Sequence, residues 1–324
     1  MTVSHCSTPQ ASVPPKLDPV YEQAVAAVKK AGAQPADPLT VPLTEARAKQ
    51  QRYFAFLAAD APEVASVRDY TLKTDFGPFI VRLYTPSERG VRDTSSAQHS
   101  LSPVLVFTRG AGWWAGNLDS HDRTMRLLAN KTGMAVCGVD YHCAPEARFP
   151  TQLNELLKAI QWLRSDGNVM GVDGRRMVLM GESAGATLSA LAAIRLKGEQ
   201  VSGLVLFYGN LAGPSEKSRE YSRWVWSNFL GTSEIPADHA AVPTQSDVSG
   251  LPPTWLGVGD CDPLVGDSEA FAERLKAAGI PHTLKIYPGV PHAFVMMSRL
   301  YAGADAALDD AARAAHEFIG RVET

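Results

Sequence analysis

The chain has 324 residues, of which 45% are hydrophobic, and its formal net charge at pH 7 is −3. This length and composition favour one large domain that carries an insertion. The mild charge gives no electrostatic basis for binding nucleic acid or an anionic membrane, and no apolar run reaches the ~18 residues of a membrane-spanning helix. The polar segment 1–15 lacks a signal-peptide pattern, and the 4 scattered cysteines show no zinc-ligand spacing, so we expect a cytoplasmic protein with reduced thiols.

The N-terminal part of the chain predicts two helices and then a pair of strands. Apolar residues recur at helical spacing, and prolines near position 40 separate the helices. Gly77 and Pro78 mark the turn between the strands. The expected elements are helices at 17–32 and 42–59, strands at 65–74 and 79–84, and a polar surface loop at 86–102.

Beyond this loop, short aliphatic runs alternate with longer helical stretches, which indicates a mainly parallel sheet covered by helices on both faces. The expected strands are 104–107, 134–139, 177–180, 201–207, 254–258 and 283–287, and the expected helices are 119–132, 152–165, 184–197, 266–278 and 302–321. The aromatic-rich segment 209–250 interrupts this alternation. We interpret it as an excursion over the top of the sheet, because insertions of this kind commonly carry function.

A glycine-rich turn, Gly181-Glu-Ser-Ala-Gly185, joins a predicted strand to a predicted helix. A sharp turn of this kind exposes the serine hydroxyl above the sheet, and glycines avoid the clash that a Cβ would make across it. The turn also aims a helix N-terminus at the site, which favours a developing anion. The pattern predicts Ser183 as a nucleophile; the alternative is a solvent-facing serine in an ordinary turn.

A serine nucleophile needs a base, and the base needs a carboxylate that orients it. His292 lies in the loop after a late predicted strand and is the expected base. Two aspartates, Asp260 and Asp262, follow the strand at 254–258, so both are candidate acids. Asp262 is favoured because Pro263 restricts it to an extended conformation, and the other aspartate would then form the turn.

A second glycine-rich segment, Phe107-Thr-Arg-Gly-Ala-Gly-Trp113, follows an early predicted strand. α/β-hydrolases present backbone N–H groups to the oxyanion of the reaction from a loop in this position. The segment is therefore the expected oxyanion loop.

Further motifs follow in a specific order: Leu118-Asp-Ser-His-Asp122, Asp140–Glu146 with Phe149-Pro150, Gly181–Gly185, Ser249–Pro253, Asp262-Pro-Leu264 and Pro288–Phe294. With the oxyanion loop, this ordered set resembles the hormone-sensitive-lipase-like family of esterases from about residue 65 to the C-terminus. The resemblance implies an α/β-hydrolase fold with a helical cap and no metal or organic cofactor. The family places its acid before Pro-Leu, which selects Asp262 beside Ser183 and His292.

The resemblance also has consequences for domain organisation and assembly. Dimerisation is common in the family, and 282–287 would be an edge strand open to pairing, so a homodimer is a hypothesis. The implied division is a single domain over 1–324, with a cap from 1–60 and 209–245 and a catalytic core from 65–208 and 246–324.

The oxyanion loop departs from the family's usual His-Gly-Gly-Gly, because Arg109-Gly-Ala-Gly112 stands there. Arg109 has two interpretations: it braces the loop through nearby carbonyls or Asp140, or its guanidinium faces the pocket and selects a substrate that bears a carboxylate. Glu182 replaces a common aspartate and is interpreted as a structural acid. The predicted oxyanion donors are the amides of Gly110, Ala111 and Ala184.

The implied activity is hydrolysis of a small-molecule carboxylic ester through an acyl-enzyme. An aromatic, apolar cap favours a short-chain acyl or aryl ester, and a lactone fits equally well. A ligand-binding protein on the same scaffold and an acyltransferase or amidase with the same triad are the alternatives. The predicted substrate-binding residues are Arg109, Trp113, Trp114 and Trp224.

Overall fold

The computed structural model describes residues 15–87, 101–199, 201–214, 219–232 and 240–320. Within these residues the strands are β1 (Ser66–Lys73), β2 (Pro78–Thr85), β3 (Ser102–Thr108), β4 (Ala135–Asp140), β5 (Val172–Glu182), β6 (Gly203–Phe207), β7 (Thr254–Gly259) and β8 (His282–Tyr287). They form one sheet in the order β1-β2-β4-β3-β5-β6-β7-β8. β2 is antiparallel to both of its neighbours, β1 and β4, and every other pairing in the sheet is parallel. The predicted α/β fold with a mainly parallel sheet is confirmed.

Helices cover both faces of this sheet. Along β3, Val104 and Val106 join one buried cluster while Leu105 and Phe107 join the other, as the two-residue period of a strand requires. Helices α4, α5, α6 and α7 pack into the first cluster, and α1, α3 and α8 pack into the second. The helices are α1 (Pro19–Lys30), α2 (Leu43–Ala58), α3 (Asp122–Thr132), α4 (Thr151–Asp166), α5 (Ala184–Arg195), α6 (Glu220–Leu230), α7 (Val265–Ala277) and α8 (Ala302–Gly320).

Some predicted segments fall partly outside the described residues. These are the start of the predicted cap, most of the predicted loop at 86–102, and parts of the excursion at 209–250. The described part of that excursion contains α6. The edge position predicted for 282–287 is confirmed, since β8 ends the sheet on one side. None of the described helices combines the length and the apolar composition that crossing a membrane requires.

The sheet topology determines where the candidate residues meet. Strands β3, β5, β6, β7 and β8 are parallel, so their carboxyl ends lie along the same edge of the sheet. The oxyanion loop follows β3, the nucleophile turn follows β5, and the candidate acid and base follow β7 and β8. Open α/β sheets commonly place their ligand sites at this edge.

Candidate active site

Ser183 stands at the turn between β5 and α5 in a backbone conformation that few non-glycine residues adopt, with φ 51° and ψ −120°. The glycines around it allow this turn. A Cβ on Gly181 would lie 2.3 Å from the carbonyl oxygen of Gly185, and a Cβ on Gly185 would lie 2.0 Å from that of Thr108. The turn therefore requires glycine at both positions, and it presents a partly exposed serine at the start of a helix.

His292 links the serine to a buried carboxylate. Its Nε2 lies 2.8 Å from Ser183 Oγ, and its Nδ1 lies 2.8 Å from Asp262 Oδ2. The imidazole is 32% exposed, whereas the Asp262 side chain is 0% exposed. Burial opposes protonation of the imidazole, but the charge and hydrogen bond of Asp262 raise the pKa of His292 overall. The structure thus brings the three predicted residues into one hydrogen-bonded chain.

The two aspartates after β7 have different partners. Asp262 Oδ1 accepts a hydrogen bond from the Leu264 amide at 2.7 Å, which leaves Oδ2 for His292. Asp260 Oδ1 instead accepts from the Gly289 amide at 2.7 Å and holds the turn after β8. Asp260 therefore forms a turn, as the sequence predicts for whichever aspartate is not the acid.

The oxyanion loop contains three consecutive residues with positive φ: Ala111 at 77°, Gly112 at 58° and Trp113 at 61°. A hydrogen bond of 3.2 Å from the Trp114 amide to the Ala111 carbonyl closes this turn. Ala111 and Gly112 are partly exposed, as Ser183 is. A short left-handed turn leaves its first N–H groups without partners inside the turn, so these two amides are suited to bind an anion.

Gly110 is placed differently from the prediction. Its backbone N–H lies beside the Glu182 carboxylate and helps to lower the pKa of that group, and the residue is buried. An amide that is engaged by a carboxylate is not free to stabilise an oxyanion. Sequence reasoning did not name Gly112 as a candidate donor, because the segment 107–113 by itself does not reveal which of its amides face the serine.

Arg109 lies inside the protein, with its side chain 2% exposed. Its guanidinium donates to the carbonyls of Ala115 and Tyr141 at 2.7 Å each, and its Cζ lies 3.9 Å from the centre of the Tyr141 ring. Asp140 Oδ1 is 3.5 Å from its Nε. These contacts match the bracing interpretation. They contradict the prediction that Arg109 binds substrate, because a guanidinium enclosed by loop carbonyls offers no surface to a ligand.

Two of the predicted substrate-binding tryptophans are also buried. Trp113 is 0% exposed, stacks on Phe229 with ring centroids 4.0 Å apart, and donates from Nε1 to the Ala184 carbonyl. Trp114 is 2% exposed and packs edge-on against Trp224. The prediction that these two side chains line the pocket is therefore corrected: they support the loop from behind. Trp224 is half-buried and keeps an accessible surface.

Sequence reasoning also missed a contact between α2 and the oxyanion loop. Arg47 donates from Nε to the Trp114 carbonyl and from Nη2 to the Ala144 carbonyl, both at 2.8 Å. It also forms a two-point ion pair with Glu146 at 2.7 Å. Glu146 stands in one of the motifs that carry the resemblance, but nothing local in α2 identifies its partner.

The described residues contain no group of three or more His, Cys, Asp or Glu side chains arranged to hold a metal ion. The site is built instead from a hydrogen-bonded serine, imidazole and carboxylate beside free amides. This arrangement is suited to attack on a carbonyl carbon.

Comparisons with known proteins find the same fold elsewhere. A family model described as the alpha/beta hydrolase fold matches residues 105–296. A hyperthermophilic esterase from the archaeon Pyrobaculum calidifontis is 27% identical, with a TM-score of 0.81, covering 93% of this chain and 98% of that one. An ester hydrolase from the Lake Arreo metagenome, solved with a bipyridine phosphonate derivative, is 26% identical with a TM-score of 0.82, covering 95% and 100%. A thermostable carboxylesterase from a metagenomic library, EstE1, is 26% identical with a TM-score of 0.78, covering 87% and 99%.

Proposed function

The chain belongs to the alpha/beta hydrolase fold family and is a carboxylesterase-type hydrolase of the hormone-sensitive-lipase-like group, and we propose how it acts. We propose that Ser183, His292 and Asp262 are its catalytic triad. The observation that carries this proposal is the continuous hydrogen-bonded chain from Ser183 Oγ through His292 to Asp262, with both distances at 2.8 Å.

The reaction follows from the order in which these three side chains contact one another. His292 Nε2 takes the proton of the Ser183 hydroxyl as the oxygen attacks the ester carbonyl carbon. Asp262 holds the proton on Nδ1 and stabilises the imidazolium. His292 then gives the proton to the leaving alkoxide, and an acyl-enzyme remains. A water molecule, deprotonated by His292, attacks the acyl carbon and releases the carboxylic acid and the free serine.

The negative oxygen of each tetrahedral intermediate needs amide donors. We propose the amides of Ala111, Gly112 and Ala184, because the first two lie in the left-handed turn and the third begins α5 beside the serine. Gly112 replaces Gly110 in this set, since the Gly110 amide interacts with Glu182. Each donor typically contributes about 3–4 kcal/mol of transition-state stabilisation.

A cap over the site is supported by packing of the described elements. Arg47 in α2 holds this helix against the oxyanion loop, and Trp224 in α6 packs on Trp114 of that loop. We propose that α1, α2 and α6 belong to a cap contributed by 1–60 and 209–245, and that 65–208 and 246–324 form the catalytic core. A small-molecule ester would enter between the two.

The proposed substrates are short-chain acyl or aryl esters. Supporting this are the half-buried Trp224 and the aromatic packing behind the oxyanion loop, which make one side of the entrance apolar. A panel of p-nitrophenyl esters of rising chain length, with aryl esters, lactones and carboxylate-bearing esters, measures this preference. We expect kcat/KM to be highest for short acyl chains; a maximum at long chains would contradict it.

The proposed nucleophile is tested by covalent labelling. A fluorophosphonate should react once, and mass spectrometry of the digest should locate the adduct on Ser183. Folded protein that stays unlabelled and hydrolyses no ester would contradict the proposal and favour the ligand-binding alternative. Product analysis with an added alcohol or amine separates hydrolysis from acyl transfer, and amide substrates test for amidase activity.

A further inference from the structure

Glu182, the residue before the proposed nucleophile, lies at the centre of a buried cluster that the hydrolytic steps do not themselves use. Its side chain is 2% exposed. Tyr208 donates its hydroxyl to Glu182 Oε2 at 2.5 Å, and His121 Nε2 lies 2.5 Å from Oε1. The backbone N–H of Gly110 completes the set. A buried carboxylate with a tyrosine hydroxyl, an imidazole and a backbone N–H around it is held in position by its surroundings.

Tyr208 connects this carboxylate to the catalytic imidazole. Its ring packs against the His292 ring with centroids 5.0 Å apart and an interplanar angle of 62°. Its own amide donates to the Gly257 carbonyl at 2.7 Å, directly after β6. The tyrosine is fully buried and held at both ends, so a movement of Glu182 would be transmitted to the face of His292.

Gly110 connects the same carboxylate to the oxyanion loop. A Cβ on Gly110 would lie 3.3 Å from Glu182 Oε1 and 3.4 Å from the Ser183 Cβ, which shows how closely the loop, the carboxylate and the nucleophile pack. The next residues along the chain are Ala111 and Gly112, the proposed oxyanion donors. The Glu182 carboxylate therefore contacts the base of the loop whose amides must point at the reacting oxygen.

We propose that Glu182 is a positioning residue of the esterase reaction, whose carboxylate joins the oxyanion loop to the catalytic imidazole through Gly110 and Tyr208. The proposal rests on the triad assignment made above, and it gives the residue a part in the reaction rather than only in the fold. The imidazolium that forms in each transition state then has a second fixed negative charge nearby.

Three carboxylates act on His292. Asp262 bonds to it directly, and Glu182 and Asp267 also favour its charged form. Asp267 is itself bonded to the amides of Leu211 and Ala212, so it anchors the chain after β6.

Glu182 keeps its charge despite its burial. Burial raises its pKa, but the contacts with His121, Tyr208 and Gly110 lower the pKa overall. Removal of the Glu182 carboxylate should therefore lower the pKa of His292 and destabilise its imidazolium form.

The experiment compares Glu182→Gln with a matched control, Glu155→Gln. Glu155 is also fully buried and paired with an imidazole, that of His142, and it accepts from the His142 amide at 2.9 Å. Its hydrogen bonds and ion pair are with His142, and not with Ser183, His292 or Gly110. Both variants lose one buried carboxylate that contacts an imidazole, so their difference isolates the position of Glu182 from the general cost of removing such a group.

The pH profile of kcat/KM and the separate values of kcat and KM are measured for both variants, with active sites counted by fluorophosphonate titration. We expect Glu182→Gln to move the acid limb to lower pH by about half a unit or more, the scale of one nearby charge in a protein. We expect kcat to fall about tenfold with little change in KM, because the lost support acts on the transition state. Glu155→Gln should leave the acid limb in place, and Glu182→Asp should restore it towards wild type.

The proposal is overturned if Glu182→Gln leaves the acid limb and kcat unchanged, if both glutamine variants shift the limb equally, or if Glu182→Asp behaves as Glu182→Gln does. If Glu182→Gln does not fold, Tyr208→Phe provides a second test of the same role. It keeps the carboxylate charge and the ring on His292 but removes one donor, so kcat should fall while the acid limb stays; an unchanged kcat would overturn the role. Loss of activity in Ser183→Ala tests the triad separately, so its outcome distinguishes failure of the triad from failure of this inference.

Discussion

Two Ser-His-carboxylate chains lie at the same edge of the sheet, and the distances between their polar atoms are nearly alike. In Ser183–His292–Asp262 the two distances are 2.8 Å and 2.8 Å. In the second chain, Ser120 Oγ lies 2.7 Å from His121 Nδ1, and His121 Nε2 lies 2.5 Å from Glu182. By distance alone, both would pass as catalytic triads.

Exposure and proton routing separate the two chains. The His292 ring is 32% exposed, whereas the His121 ring is 0% exposed beneath Phe54. Ser120 also donates its hydroxyl to the Asn117 carbonyl at 2.5 Å, so its proton already has an acceptor in the backbone. Ser183 stands on a strained turn that exposes its hydroxyl. A catalytic triad is therefore recognised by an imidazole that substrate can reach and by a serine proton with no backbone acceptor. The second chain lacks both features and supports the site from beneath.

The largest expected effect separates the two serines. Ser183→Ala should lower kcat/KM for a short p-nitrophenyl ester by about 10⁴-fold or more, because the nucleophile and its proton transfer are lost together. Ser120→Ala should stay within about tenfold of wild type, since it removes hydrogen bonds to Asn117 and His121, worth about 1 kcal/mol each, and no group with access to the substrate. Equal losses in the two variants would break the comparison.

The two aspartates after β7 should differ almost as strongly. Asp262→Asn should lower kcat by about 10⁴-fold, because the amide no longer holds the correct imidazole tautomer or stabilises the imidazolium. Asp260→Asn should keep its activity and lose about 1 kcal/mol of stability in urea unfolding, since its carboxylate accepts from the Gly289 amide and holds a turn. Inactivation by Asp260→Asn with full activity in Asp262→Asn would reverse the assignment.

The raised pKa of His292 should affect the pH dependence of both activity and stability, in opposite directions. Activity needs the neutral imidazole, so the acid limb of kcat/KM should have its midpoint above about 6.5, the ordinary value for histidine. Stability behaves the other way. The folded pKa is raised, so the contribution of His292 is complete below its unfolded pKa and is lost as the pH rises through the folded value.

Two measurements check this prediction: the pH profile of kcat/KM and the free energy of unfolding in urea, both between pH 5 and 8. In Asp262→Asn the acid limb, followed with the residual activity, should move to lower pH. A wild-type midpoint below the ordinary histidine value would contradict the proposed support of the imidazolium.

A smaller effect is expected at Arg109, which braces the oxyanion loop. Arg109→Lys should lose about 1–3 kcal/mol of stability, because an ammonium cannot reproduce the two carbonyl contacts and the stacking on Tyr141. The ratio of kcat/KM for neutral and carboxylate-bearing esters should stay the same. A changed ratio would bring the guanidinium into the pocket and reject the bracing role.

The smallest effect is expected for Ala111→Gly. Glycine would relieve the cost of about 1–2 kcal/mol that a Cβ carries at positive φ. It would also increase the entropy of the unfolded chain, which costs about 0.4–1 kcal/mol. The second change offsets part of the first, so the free energy of unfolding in urea should rise by about 1 kcal/mol or less. A large loss of stability would show that the Ala111 methyl has an essential packing role.

The sequence by itself determined the fold and the positions of the candidate triad residues. Alternating strand and helix patterns encode a parallel sheet locally, and the turns that follow its strands must then meet at one edge. For this reason Ser183 and His292 could be named from the order of motifs along the chain, and the resemblance to the esterase family selected Asp262 over Asp260. Gly181 is required by a clash with the Gly185 carbonyl four residues later, so it too was predictable, whereas the clash that requires Gly185 is with Thr108 at the end of β3.

Only the tertiary structure decided how the oxyanion loop is supported. The Gly110 amide lies beside the Glu182 carboxylate, and the Arg109 guanidinium donates to carbonyls up to 32 residues away. The Trp113 indole donates to α5 and stacks on α6. Each depends on which donor and acceptor meet after folding, between segments distant in sequence. Local patterns specify where a strand or a turn begins, but the partner of a buried polar group depends on the packing of the whole molecule.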